Sequence, residues 1–170
     1  MGGAIIAIMT QKNSNIPGAI VLGMHDALVS QTGIIAGLAF ALADRYLIIL
    51  TGIISAVAAG LSMAASNYLA HKTNSDEYAV RAGAVTGLTY LGVSGILLIP
   101  FFMTANVRAA MTSAFIIAII IIFVCNWGIC RAKSRPFWRH TIEMLVICTG
   151  VSVVAFLIGE AAKHFIGITI

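Results

Sequence analysis

An aspartate lies near the middle of the first long apolar segment of this chain, where ionisable side chains are rare. The polar residues His25, Ser30 and Gln31 lie close to Asp26 in the sequence. An acidic side chain at the centre of a membrane span costs about 2.5 to 3.5 kcal/mol on insertion scales, so it predicts a functional role. We expect a hydrated seam that admits a cation beside Asp26. The alternative is an aspartate hydrogen-bonded to a neighbouring helix without any ligand.

A thioether and an amide share one face of the second apolar segment. Gly60, Met63 and Asn67 follow offsets of 3 and 7, which one face of an α-helix accommodates. Taken alone, Met63 is typical of core packing. Next to a buried carboxylate it adds a soft donor to a hard one, a combination that favours first-row divalent ions over Mg²⁺ or Ca²⁺.

Other ionisable residues lie toward the ends of the apolar segments. His71, Asp76 and Glu77 are predicted in a cytoplasmic loop, as solvated residues or as a cation entrance. Glu143, near the start of the fifth segment, is either an entrance ligand or a partner of the helix dipole. Another acidic and basic pair, Glu160 and His164, is expected to interact at spacing i,i+4, with an exit relay as the alternative.

The elements that carry these residues are predicted to be membrane-spanning helices. Hydrophobic residues make up 60% of the chain and charged residues 9%, whereas soluble domains carry roughly 25% charged residues. Apolar runs of this length predict an all-α membrane protein with one transmembrane domain over residues 1–170. The five predicted spans are approximately 16–43, 46–70, 79–104, 109–130 and 141–165.

The charges between the spans predict the orientation in the membrane. The predicted connections are 44–45, 71–78, a turn near 106–108, and a basic loop over 131–140. Five spans put the termini on opposite sides, and the basic residues then divide seven to three in favour of the N-terminal side. An excess of Lys and Arg marks the cytoplasmic side, so we expect a cytoplasmic N-terminus and an external C-terminus. The seven are Lys12, Lys72, Arg81, Arg131, Lys133, Arg135 and Arg139, and the three are Arg45, Arg108 and Lys163.

Small residues predict close helix packing along the first span. Gly23, Asp26, Ser30, Gly33 and Gly37 form one stripe of a 3.6-residue helix, which should face protein or water rather than lipid.

Several classes of protein are disfavoured by what the sequence lacks. It contains no phosphate-binding GxxxxGK[ST] loop, no GxSxG elbow, no HExxH and no paired CxxC. We therefore expect neither an enzyme nor a nucleotide-driven pump, no bound cofactor, and gradients as the driving force of any transport. The net charge of +4 is attributed to membrane orientation, and no nucleic-acid partner is predicted.

Two motifs resemble those of the vacuolar iron transporter (CCC1-like) family. Residues 23–37, GMHDALVSQTGIIAG, are similar to the family's (N/S)DGLVSxxGxxxG, and residues 59–68, AGLSMAASNY, are similar to a second motif that ends in SMAxGEY. The resemblance implies a homodimer of five-helix subunits that exports Fe²⁺, and often Mn²⁺, in exchange for protons. It also implies a path at the two-fold axis, lined by the residues that here are Asp26 and Met63.

The sequence departs from the family at three places. His25 replaces Asn or Ser and offers an imidazole ligand or proton acceptor, while Asn67 replaces a glutamate and removes a charge. The glutamate-rich insert of vacuolar members is absent after the second span, which favours a prokaryotic cell membrane. The predicted metal ligands are therefore Asp26, Met63, His25 and Asn67, followed by Ser30, Glu77 and Glu143. The competing hypothesis is a membrane scaffold whose polar seam only holds helices together.

Overall fold

The described part of the protein consists of five long helices. The computed structural model describes residues 15–41, 44–74, 76–133 and 137–166, and no strand occurs in these ranges. The helices are α1 (Asn15–Ala41), α2 (Arg45–Thr73), α3 (Ala79–Met103), α4 (Val107–Lys133) and α5 (Phe137–Ile166). Each contains a stretch long and apolar enough to cross a membrane. The predicted all-α, multi-pass membrane fold with five spans is confirmed.

Helix α3 lies against both α1 and α2. The contact between α2 and α3 is the most extensive of the bundle, and α1 packs mainly on α5 and α3. Direct contact between α1 and α2 is limited, although the Gln31 side-chain amide donates to the Gly52 carbonyl of α2 at 3.1 Å. Because α1 and α2 contact each other only sparsely, a groove remains open along α1 between α2 and α5.

Glycines allow the closest helix contacts. A Cβ on Gly83 of α3 would lie 2.6 Å from the Ala64 carbonyl oxygen of α2, and one on Gly159 of α5 would lie 2.6 Å from the Gly37 carbonyl oxygen of α1. Only hydrogen in place of a side chain permits such backbone approach, which is how apolar helices gain contact within lipid.

The small-residue stripe of α1 is shared between two neighbouring helices. A Cβ on Gly23 would collide with the Thr86 carbonyl of α3, whereas one on Gly33 would lie 3.0 Å from a Val151 methyl of α5. The stripe therefore faces protein at these glycines, as predicted. The sequence did not indicate that its two halves would contact different helices.

Two connections are shorter than the sequence suggests. Helix α2 continues to Thr73, so His71 lies in its last turn rather than in a loop. The predicted basic loop over 131–140 is largely helical, since α4 ends at Lys133 and α5 begins at Phe137. Arg131 lies over the Trp127 ring at 4.8 Å, one turn earlier on the same helix. Charged residues continue a helix beyond its apolar part, so the fall in hydropathy precedes the end of the helix.

Candidate functional site

Asp26 lies on the partly open side of α1, well inside the span. It is ten residues from the start and fifteen from the end of the apolar stretch Ile16–Ala41. Its side chain is half-buried, and no group of the described residues makes a hydrogen bond or ion pair to its carboxylate. At about 1.5 Å per residue the carboxylate lies about 15 Å from the span's start, near the middle of a bilayer core of about 30 Å.

Three helices are joined by hydrogen bonds close to Asp26. The Asn67 side-chain amide of α2 donates to the Thr86 hydroxyl of α3 at 2.6 Å and to the Ala82 carbonyl at 3.2 Å. The Thr86 hydroxyl is 3.2 Å from the Ala19 carbonyl oxygen of α1. Asn67, predicted as a metal ligand, therefore uses its amide nitrogen to hold α2 against α3.

Asp26 and Met63 lie at nearly the same depth. Gly23 touches Thr86, which bonds to Asn67, so these three residues mark one level of the bundle. Asp26 is three residues beyond Gly23, about 4.5 Å along α1, and Met63 is four residues before Asn67, about 6 Å along the antiparallel α2. Because the two helices are antiparallel, both displacements run toward the same side of the membrane and bring Asp26 and Met63 to similar depths. Both side chains are half-buried.

Ser30 links the turn of Asp26 to α3. Its hydroxyl donates to the Asp26 carbonyl oxygen at 2.7 Å and lies 2.7 Å from the Tyr90 hydroxyl. The predicted ligand Ser30 thus has protein partners on two sides.

The remaining predicted residues lie at different places. His25 is half-buried beside Asp26 in the sequence, and Glu77 is exposed in the turn between α2 and α3. Ten helical residues separate Met63 from Thr73, so Glu77 is roughly 15 Å from the depth of Met63.

Glu143 is exposed in the second turn of α5, and the dipole interpretation does not fit this position because that effect falls off within the first turn. Gly33 of α1 faces Val151 of α5, and Gly37 faces Ala155, so the two helices run parallel. Counting back eight residues on each helix from the Gly33 and Val151 pair puts Glu143 at roughly the depth of His25.

A groove follows α1 from Ser30 onward. Its volume is about 570 Å³, and it lies between α2 and α5 with mainly small and aliphatic residues on its walls. Its polar contributions come from Ser30 and from Thr51 of α2. The groove therefore begins one turn from Asp26 and continues the open side of the subunit.

Sequence reasoning missed the polar side chains of α3. Thr86, Tyr90 and Ser94 recur every four residues and are completely buried. That spacing places them on one helix face, and it was available in the sequence as a signal for a polar strip.

The comparisons with known proteins address the same region. The model of the VIT family matches residues 18–81, which include Asp26, Met63, and both sequence motifs. No curated protein matches the chain. Across the described residues, no three His, Cys, Asp or Glu side chains come together as a metal cluster. The matched segment covers most of α1, all of α2 and the start of α3, and over these residues the chain is similar to the VIT family.

Proposed function

We propose that this protein exports Fe²⁺, and also Mn²⁺, from the cytoplasm in exchange for protons. The proposal rests on one observation. The Asp26 side chain is only partly buried, although it lies deep in a membrane span and at nearly the same depth as the Met63 thioether. A charged group at this depth is costly, and intramembrane carboxylates characteristically line ion and proton pathways. The similarity of residues 18–81 to the VIT family, a match that includes Asp26 and Met63, supports the same conclusion.

The ligand chemistry suits a borderline divalent ion. Carboxylate oxygen is a hard donor and thioether sulfur a soft one, so Asp26 and Met63 together favour Fe²⁺ or Mn²⁺ over Mg²⁺. His25 adds an imidazole ligand. The side-chain nitrogen of Asn67 is hydrogen-bonded to α3, and its amide oxygen is left to coordinate the metal. Protons compete with a metal for the same carboxylate, which couples metal release to proton uptake.

We propose that a second copy of the chain covers the open side. A half-buried Asp26 carboxylate in contact with lipid would be energetically costly, and the groove that begins at Ser30 is continuous with this face. A two-fold axis along it doubles each ligand, so that two carboxylates and two thioethers surround one path.

The entrance and the orientation complete the proposal. Glu77, exposed beyond the end of α2, and Glu143, exposed on α5, would attract cations toward the path. The seven-to-three division of basic residues supports a cytoplasmic N-terminus, and we propose a prokaryotic cell membrane as its location.

Flux measurements in proteoliposomes test this function. A metal-quenched dye follows Mn²⁺ or Fe²⁺ entry, and a pH-sensitive dye in the same vesicles follows protons. Asp26→Asn should abolish both signals together, because it removes the shared site. Metal flux with unchanged rate and proton coupling in this variant would refute the proposal.

The role of the thioether needs a matched pair of variants. Met63→Leu should lower the preference for Fe²⁺ over Mg²⁺, because it keeps the shape but removes the sulfur. Met144→Leu is the control, since Met144 is a buried core methionine on α5, 5% exposed. Equal preferences in the two variants would make Met63 a packing residue.

A membrane scaffold is the second candidate function. It is favoured by Ser30 and Asn67, two predicted ligands that are hydrogen-bonded to other protein groups. This function requires no cation affinity, so calorimetric titration of the purified protein with Mn²⁺ separates the two. Binding that is lost in Asp26→Asn supports transport, and absence of binding supports the scaffold.

A further inference from the structure

A chain of two hydrogen bonds connects the interior of α3 to the turn of α1 that carries Asp26. The Tyr90 hydroxyl is 2.7 Å from the Ser30 hydroxyl, which is 2.7 Å from the Asp26 carbonyl oxygen. The residues Tyr90 and Ser30 are far apart in sequence, so this contact depends on how α1 and α3 pack.

The number of hydroxyl hydrogens determines which group donates in each of these two hydrogen bonds. Ser30 has one hydroxyl hydrogen, and the Asp26 carbonyl can only accept, so that hydrogen is donated to Asp26. The Tyr90 hydroxyl must then donate to the Ser30 oxygen. Removal of the Tyr90 hydroxyl therefore takes away one donor and leaves the Ser30 bond to Asp26 without its support.

Tyr90 is well placed to hold its partner rigidly. Its side chain is completely buried, while Ser30 and Asp26 are half-buried on the open side. Packing fixes the phenol ring, whose hydroxyl lies 2.7 Å from the Ser30 hydroxyl and also interacts with Ser94 of α3. A serine that bonds back to the carbonyl four residues earlier tends to bend its helix, so this pair shapes the turn 26–30.

We propose that Tyr90 is a positioning residue of the cation path, which through Ser30 sets the orientation of the turn that presents the Asp26 carboxylate. The inference rests on the proposed function, because it assigns Tyr90 a role in cation binding by Asp26. Tyr90 itself does not touch the cation.

Mn²⁺ titration calorimetry on the full-length protein in detergent tests the proposal. Tyr90→Phe keeps the ring and removes only the hydroxyl, and it should weaken Mn²⁺ binding by about two- to tenfold, the range expected for one hydrogen bond. Thr32→Val is the matched control. Thr32 is a buried residue of α1, and its only hydrogen-bond partners among the described residues are carbonyls of its own helix, Leu28 and Val29. This variant should bind Mn²⁺ as the wild type does.

Non-additivity distinguishes positioning from general loosening of the bundle. In a Ser30→Ala background both hydrogen bonds are already lost, so Tyr90→Phe should cause no further loss of Mn²⁺ affinity. Ser30→Thr, which keeps a hydroxyl, should restore the sensitivity to Tyr90→Phe. If Tyr90→Phe alone does not fold, Ser30→Ala and Ser30→Thr carry the test, with weakened binding expected only in the alanine variant.

Any of the following results would overturn the proposal. The first is wild-type affinity in Tyr90→Phe while Asp26→Asn loses binding, which leaves the proposed function intact. The second is an equal loss of affinity in Tyr90→Phe and Thr32→Val, or additive losses in the double variant. The third is unchanged binding in Asp26→Asn, which overturns the proposed function and this inference with it.

Discussion

Replacing Gly83 with alanine should destabilise the protein through the contact between α2 and α3. The new Cβ would lie 2.6 Å from the Ala64 carbonyl oxygen and 2.9 Å from the Tyr68 Cβ. The first distance is about 0.9 Å short of the 3.5 Å at which non-bonded heavy atoms attract best. Because the obstacle is backbone, the helices must separate, and overpacking of this kind costs about 1 to 3 kcal/mol.

A second glycine of α3 isolates that cost. Alanine is preferred to glycine within a helix by about 0.5 to 1 kcal/mol, and this gain applies equally to Gly95→Ala. A Cβ on Gly95 meets nothing within 4 Å. The difference between the two variants in free energy of unfolding should therefore equal the overpacking cost, about 1 to 3 kcal/mol in favour of Gly95→Ala.

Unfolding of both variants in mixed micelles by titration with sodium dodecyl sulfate measures that difference. The temperature at which each loses its monodisperse size-exclusion peak provides an independent ranking. Equal stability of the two variants would refute the reasoning, because it would mean that α2 and α3 do not approach as closely at Gly83 as they do in the structure.

Three further changes test local features of the fold by the same unfolding measurement. Asp44→Ala should cost about 1 kcal/mol, because the Asp44 carboxylate caps α2 by accepting from two backbone amides, at 2.7 and 3.2 Å; no loss would mean that water replaces the cap. Asn67→Ala should cost about 0.5 to 2 kcal/mol through its two hydrogen bonds to α3, and a cost near zero would leave the amide available to a ligand. Gln31→Leu should change stability by less than about 1 kcal/mol, because the buried Gln31 amide makes one bond to α2 while its oxygen has no partner among the described residues. A larger loss in Gln31→Leu would indicate a bound water or partner at that oxygen.

The sequence was informative about the site where a residue is unusual for its surroundings. Asp26 stands out because a carboxylate is costly in an apolar span, and the motif around it lies in the segment that matches the VIT family. The partners of Ser30 and Asn67 could not be inferred in the same way. A serine or an asparagine in a span is compatible with a ligand, a helix contact or both, and only the position of α3 distinguishes these uses.

Some errors followed from treating hydropathy as a measure of helix length. The segments after Met63 and after Trp127 become polar while the backbone remains helical, so the predicted connections at 71–78 and 131–140 were too long. Local backbone hydrogen bonds, which do not depend on side-chain polarity, determine where a helix ends.

The existence of five membrane helices and the position of the carboxylate in the first were determined by the sequence alone. Each depends on the transfer of particular side chains from water to lipid, an energy that is largely local to its segment. The tertiary structure decided which helices meet. Gly23 faces α3 and Gly33 faces α5, although both belong to one stripe, because backbone approach depends on the shape of the partner helix. Tyr90 acquires its connection to Asp26 only when α1 and α3 come together, since hydrogen bonds between distant residues are specified by packing and not by composition.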